Sequence, residues 1–273
     1  MKIITEPTVT VIAKQQFLGH PDYDIPDDGN DAIKIGAFAA KSCYDSFGKD
    51  GRANELNQIA LLEHAHGSVL EHINYTLFIE GITRALSLES NRHRQLAVSQ
   101  RSTRYTAEED AAVVLEPYFA LLYKKYEEYL LDPKKEDLED FEGNFDINEF
   151  NFIASHLASL QNSFDAYERD VAWLETINPN NLKGFDLRKW ARGKARNTLP
   201  HALETRITYT GNLRAWRWFI ESRSDKHAEP EIRRLADTVL LTLREEAPLY
   251  FEDFKQQELY DGIPVWVPKY RKV

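Results

Sequence analysis

Cysteine is almost missing: Cys43 stands alone among 273 residues. A disulfide within the chain and a Cys-rich zinc site are thereby excluded, and a reducing, cytoplasmic setting is expected. Long apolar runs are missing too. Nothing approaches the ~20 residues that span a bilayer, and the opening MKIITEPTVTVIAK lacks the apolar core of a signal peptide. No Gly-x-Ser-x-Gly, Walker A loop or Gly-x-Gly-x-x-Gly occurs, so a bound dinucleotide would not be held in the Rossmann manner. Positive charge is in deficit: 34 Lys and Arg against 44 Asp and Glu leave −10. That balance argues against a nucleic-acid polymer or an anionic membrane as main partner. A small anion held by a local arginine cluster remains compatible with it.

What is present reads as a folded α+β protein. Aromatics at 12% argue against disorder, and there is neither an internal repeat nor a linker that justifies a cut. We read residues 1–273 as a single domain. Residues 7–13 alternate, with Val9, Val11 and Ala13 on one face, and predict a strand. Residues 72–81 alternate more cleanly through Ile73, Tyr75, Leu77 and Ile79, and 204–211 through Thr205, Ile207 and Tyr209. Helices are expected over 31–44, 54–66 (with Leu56, Ile59, Ala60 and Leu62 as its apolar face), 108–130, 147–176, 186–199 and 229–246. The last carries the stripe Ile232, Leu235, Ala236, Val239, Leu240 and Leu243. The acidic stretch 132–146 reads as an exposed loop or insertion, and the C-terminal IPVWVPKYRKV as extended. Strands and helices mix without a regular βαβ alternation, which is the α+β pattern.

Four segments carry chemistry. In residues 82–104, Arg84, Arg92, Arg94, Arg101 and Arg104 accompany a single acid, Glu89. Guanidinium groups with nearby hydroxyls suit an anion, above all a nucleotide phosphate. The plainer reading is a solvated face paired with the acidic stretch. Arg188, Arg192 and Arg196 recur at helical spacing and would line one face, either as a second arm of that site or as solvated surface. Residues 212–223 open on Asn212, a good N-cap. They place Arg214 beside Trp218 and Phe219 beside Arg223 at i,i+4, a surface for a flat heterocycle or simply core aromatics. His64, His66, Glu71 and His72 suggest a metal by type but match no metal-site spacing. Cys43 reads as a small apolar residue rather than a nucleophile.

Arg92-His93-Arg94, seven residues, then Ser102 resembles the signature of the flavin-dependent thymidylate synthases, the ThyX family. The four fixed positions would match by chance in roughly one chain per thousand. Ser99-Gln100, Arg104-Tyr105, His66-Gly67 and Glu71-His72 extend the likeness. So do Ala195-Arg196, Leu199-Pro200, Glu204-Thr205-Arg206, Thr210 to Trp216, Arg223, His227-Ala228 and Glu231-Ile232-Arg233. The resemblance covers about 31–105 and 190–250, and 106–186 reads as an inserted, lineage-specific helical region.

The resemblance implies reductive methylation of dUMP to dTMP. Methylenetetrahydrofolate is the carbon donor, FAD the hydride carrier and NADPH the reductant. It also implies a homotetramer with active sites shared between subunits. By matching positions, Ser68, Arg92, His93, Arg94, Gln100, Asn212, Leu213, Arg214 and Trp218 should contact FAD. Glu89, Ser90, Asn91, Arg92, Gln100, Arg101, Ser102, Thr103, Arg104, Arg196 and Arg223 should contact dUMP. Arg223 is the implied catalytic residue, Ser102 a hydrogen-bond donor to substrate, and no metal is implied. Glu89 stands where many members carry Gln, which would cost phosphate affinity unless the carboxylate is protonated or turned towards an arginine. Trp218 stands where others carry Asn or His. Two further readings remain open at this stage: a metal-dependent phosphoester hydrolase built on His64, His66, Glu71 and His72, and a nucleotide-binding protein without catalysis.

Overall fold

The computed structural model describes residues 1–106, 112–131 and 145–271. Strands run β1 Lys2–Ile4, β2 Thr8–Lys14, β3 Asn74–Thr83, β4 Ala97–Gln100, β5 Ala112–Val114, β6 Glu204–Asn212, β7 Phe254–Tyr260 and β8 Ile263–Pro268. Helices run α1 Asp31–Tyr44, α2 Asn54–Glu63, α3 Arg84–Ser90, α4 Pro117–Leu131, α5 Ile147–Ile177, α6 Gly184–Ala195, α7 Leu213–Arg223 and α8 Pro230–Glu246. Short 3-10 turns occupy Gly67–His72, Arg196–Thr198 and Pro248–Tyr250. The class is α+β. None of the described helices is long and apolar enough to cross a membrane.

The chain forms two compact units. One comprises Pro7–Glu80, Glu89–Ser99 and Arg206–Val273, and its sheet has the order β2-β3-β6-β4. The expected alternation is realised: Ile73, Tyr75, Leu77 and Ile79 are at most 3% exposed, and Ile207 and Tyr209 at most 1%. β2 pairs antiparallel with β3, but the register shifts between Val11 and Ala13. A bulge of this kind turns the strand, so Ala13 is exposed rather than continuing the face of Val9 and Val11. The predicted α8 stripe is at most 1% exposed throughout, and Pro230 opens that helix where its missing N–H costs nothing. β7 and β8 form an antiparallel hairpin: β8 falls in the C-terminal stretch expected to be extended, whereas β7 matches no expected element. Asn30 caps α1 by accepting the Ile33 N–H at 3.1 Å.

α2 is shorter than its pattern. It stops at Glu63, and Ala65 takes φ 55° before the 3-10 turn. Its buried face is Gln58, Leu61 and Leu62, whereas Leu56 and Ile59 are 55% and 38% exposed. Leu61 packs with Ala40 and Val69, and that contact sets the rotation of the helix.

The other unit comprises Met1–Glu6, Gly81–Leu88 and Gln100–Thr205. Where one helix over 108–130 was expected, β5 precedes a helix that begins only at Pro117. β5 pairs in parallel with β1, Val113 opposite Ile3. Val113, Leu115, Tyr126, Ile153, Leu160, Phe164 and Leu203 make its core. Asp146 caps α5, its carboxylate accepting the Asn148 and Glu149 N–H groups, and Asn178 ends that helix in a left-handed conformation. Most of the acidic stretch, residues 132–144, lies outside the described residues.

Leu240 is fully buried on α8, and its neighbour Leu241 is 45% exposed. Leu240→Ala should lower unfolding stability by about 2–5 kcal/mol through lost burial and a cavity. Leu241→Ala should stay within about 0.5 kcal/mol of wild type. Urea unfolding of both variants checks the orientation of α8, since equal effects would contradict it.

Candidate active site

The segment after α3 is a chain of tight turns: the N–H groups of Arg92, His93 and Leu96 bond back to Glu89, Ser90 and His93 carbonyls at 3.0–3.1 Å. β6 holds it from beneath. Tyr209 Oη lies 2.7 Å from Ser90 Oγ and donates to Asn91 Oδ1 at 3.0 Å. Gly211 lets the Leu96 side chain lie against the strand, where a Cβ would push it aside. These contacts leave Arg92 and Arg94 exposed and turn His93 inward, at 7% exposure.

His93 meets the far end of α7. Arg223 Nε donates to His93 Nε2 at 2.9 Å, and the His93 ring packs edge-on against Phe219 at 4.9 Å. Burial, then the guanidinium charges of Arg223 and Arg92, push the His93 pKa down to about 4. The imidazole is therefore neutral at pH 7 and accepts rather than repels. Glu89 Oε2 lies 3.5 Å from Arg223 Nη1. The carboxylate that looked unfavourable beside a phosphate is thus turned towards an arginine. Glu89, Ser90, Asn91, Arg92, His93, Arg94 and Arg223 are gathered in one unit, with Tyr209 as a support that the sequence reading had not singled out. Its signal was a tyrosine on the buried face of a strand, whose hydroxyl needs a partner.

The other end of α7 faces the 3-10 turn Gly67–His72. Asn212 caps the helix, its side chain accepting the Ala215 N–H. Leu213 N–H donates to Ile73 O at 2.8 Å, and Arg214 pairs with Glu71 at 2.5 Å. Ser68, Arg214 and Trp218 are exposed, whereas the Leu213 side chain is fully buried, which leaves only its backbone for any ligand. A flavin dinucleotide needs fixed cations and donors for its pyrophosphate. Arg92 and Arg94, exposed and without an ion pair among the described residues, fit that need. His64 and His66 are exposed with ring centres 6.1 Å apart. Among the described residues no group of three His, Cys, Asp or Glu side chains lies close enough to hold a metal ion.

The remaining candidates lie in the other unit. Gln100 Nε2 donates to Thr205 Oγ1 at 3.2 Å, and Arg101 pairs with the buried Glu204 at 3.2 Å. Thr103 is buried. Ser102 Oγ accepts the Arg104 N–H at 3.3 Å, its only side-chain hydrogen bond among the described residues. Among the described residues no base is hydrogen-bonded to it, which suits a hydrogen-bonding hydroxyl rather than a nucleophile. Arg104 and Arg196 line one cavity with α6. Arg188 and Arg192 do not line it, although the 188/192/196 spacing had suggested a common face. Arg192 instead donates to the Tyr105 carbonyl at 3.3 Å.

The family model for "thymidylate synthase complementing protein" matches residues 27–249. The flavin-dependent thymidylate synthase of Mycobacteroides abscessus is 36% identical over 260 residues, 94% of this chain and 93% of the relative. Those of Mycobacterium tuberculosis and Mycobacterium avium are 35% identical over the same lengths. These matches run through 106–186, so that region is not foreign to the family.

The neutral His93 predicts a pH effect on stability. Its folded pKa of about 4 lies below the ordinary value of 6.5. Between those values the unfolded chain binds a proton that the native one does not, so stability falls as pH drops through that window. His93→Gln keeps an acceptor for Arg223 but cannot titrate. Urea midpoints at pH 7 and 4.5 should fall less for this variant than for wild type. Equal losses would show that His93 is not held neutral.

Proposed function

The chain belongs to the flavin-dependent thymidylate synthase family, and on that premise we propose how its residues share the reaction. The enzyme methylates dUMP reductively to dTMP, with methylenetetrahydrofolate and NADPH as co-substrates. FAD, when bound, carries the hydride between reductant and one-carbon unit. Arg92, His93, Arg94, Ser68, Gln100, Asn212, Leu213, Arg214 and Trp218 hold the flavin in this reading. Glu89 to Arg92, Gln100 to Arg104, Arg196 and Arg223 hold dUMP. We further propose a single synthase domain over the whole chain, because the family match includes residues of both units. A cytoplasmic homotetramer with shared sites completes the reading, supported by the lone Cys43 and the family resemblance.

The observation that carries the assignment of roles is the contact of Arg223 with His93. It brings a permanent cation from 130 residues away to the Arg92–Arg94 segment. Uracil C5 is a weak nucleophile until negative charge builds on N3 or O4. A preorganised guanidinium stabilises that charge as it develops. Because His93 is neutral, Arg223 is not opposed by a second cation on that side. Arginine stays charged at any working pH and so acts as a fixed electrostatic partner, not a proton carrier. Ser102 contributes a hydrogen bond to substrate. The hydrolase alternative lacks a metal-binding group among the described residues, and turnover of dUMP separates the enzyme from a passive nucleotide binder.

Arg223→Lys keeps the charge but loses the planar, two-pronged geometry. Methylation, followed as tritium release from 5-labelled dUMP, should fall by roughly 10²–10³. Flavin reduction by NADPH without dUMP should stay near wild type. If both half-reactions are unaffected, Arg223 only pairs with Glu89. For the shared sites, mixing Arg104→Ala protein with Arg223→Ala protein should restore part of the activity once subunit exchange is verified, and no recovery would count against them.

A further inference from the structure

The cavity beside α6 (Gly184–Ala195) holds more positive charge than the dUMP assignment uses. Arg104, Lys189, Lys194 and Arg196 line it with Trp190, and Asp186 is the only acid among the described residues that line it. Its volume is about 450 Å³, within the ~300–1,000 Å³ of small-molecule sites. None of the four cations forms an ion pair among the described residues. In a chain of net charge −10, four unpaired cations around one opening are a local reversal of sign. Two of them are also held in place. Lys189 Nζ sits 4.9 Å from the centre of the Tyr105 ring and the Arg104 guanidinium 5.7 Å from it. That ring stacks on Phe185 with centres 6.0 Å apart, and Arg192 donates to the Tyr105 carbonyl.

A phosphate monoester brings about −1.5 to −2 charges near pH 7. Arg104 and Arg196, which the resemblance assigns to dUMP, balance it by themselves. Lys189 and Lys194 are then left in the same cavity as Trp190 with no assigned anion. We propose that Lys189, Trp190 and Lys194 form a polyanion subsite, which binds the clustered carboxylates or phosphates of a co-substrate while dUMP occupies Arg104 and Arg196. The proposal rests on the synthase reading above. Two co-substrates carry that chemistry: methylenetetrahydrofolate through its glutamyl carboxylates, and NADPH through its phosphates.

The test compares wild type with Lys189→Gln/Lys194→Gln and with Lys189→Arg/Lys194→Arg. The first probe is inorganic tripolyphosphate, titrated calorimetrically at saturating dUMP and two salt concentrations. Wild type should bind it, more weakly at high salt. The double Gln variant should bind about tenfold or more weakly, and the double Arg variant near wild type, which separates lost charge from lost folding. In turnover, the double Gln variant should raise one co-substrate KM about tenfold and leave kcat and the dUMP KM within about twofold. Loss of the preference for triglutamyl over monoglutamyl methylenetetrahydrofolate assigns the site to the folate tail. Loss of the preference for NADPH over NADH assigns it to the reductant. The proposal is overturned if tripolyphosphate fails to bind beside dUMP, if the double Gln variant binds it unchanged, if only the dUMP KM rises, or if no KM changes. Absence of flavin or of methylation in wild type would sink the synthase reading instead, and the tripolyphosphate titration would still decide the subsite.

Discussion

The Arg217–Asp253 pair orients the helix on which the proposed chemistry depends. Arg217 lies on α7 at 2% exposure. Its guanidinium meets both carboxylate oxygens of Asp253 at 2.7 and 2.9 Å and donates to the Tyr250 and Tyr270 carbonyls. It also lies over the Phe254 ring at 4.9 Å. A charge so deeply buried is tolerable only with this degree of pairing. The partners come from the 3-10 turn at Pro248–Tyr250, the start of β7 and the chain after β8, so α7 cannot rotate without breaking them together. With Arg217 turned inward, Arg214 and Trp218 stay exposed and Arg223 reaches His93 at the end of the helix.

Arginine sorting is the common theme of both units. Arg101, Arg206, Arg214, Arg217 and Arg233 each have a carboxylate partner. Arg92, Arg94, Arg104 and Arg196 have none among the described residues. These four are among the positions that the family resemblance assigns to phosphate-bearing ligands, and Arg52, Arg188 and Arg192, which it does not assign, also form no ion pair among the described residues. Arg223 is intermediate: Glu89 sits at 3.5 Å and a neutral histidine fills one of its donor directions. Its charge is partly balanced by Glu89.

Local pattern made much of this protein legible. Alternation found the core of β3 and β6, a helical stripe found α8, and Asn212 acts as the cap it was expected to be because Asn oxygen accepts helix N–H groups wherever a helix begins. The Arg-His-Arg motif and the arginines beyond it were legible as a cluster of cations, which the pattern left open as an anion site or a solvated face. Other elements carried no readable period. β1 and β5 are three residues each, too short to alternate detectably. They become strands only because the two ends of a long stretch of chain meet. α2 rotated away from its apparent apolar face because Leu61, not Leu56, found Ala40 and Val69.

The sequence by itself determined the fold class, the family, most helices and the identity of the charged residues. The fold class and helices rest on composition and local periodicity, and the family on the resemblance of its motifs. Tertiary structure decided which charges face which. It turned Glu89 to Arg223, made His93 an uncharged acceptor, paired Arg101 with Glu204, and put Lys189 and Lys194 rather than Arg188 and Arg192 beside Arg196. Periodicity reports which face of an element is apolar but not what will cover it. Electrostatic role depends on burial and partners, and those come from residues far apart in the chain.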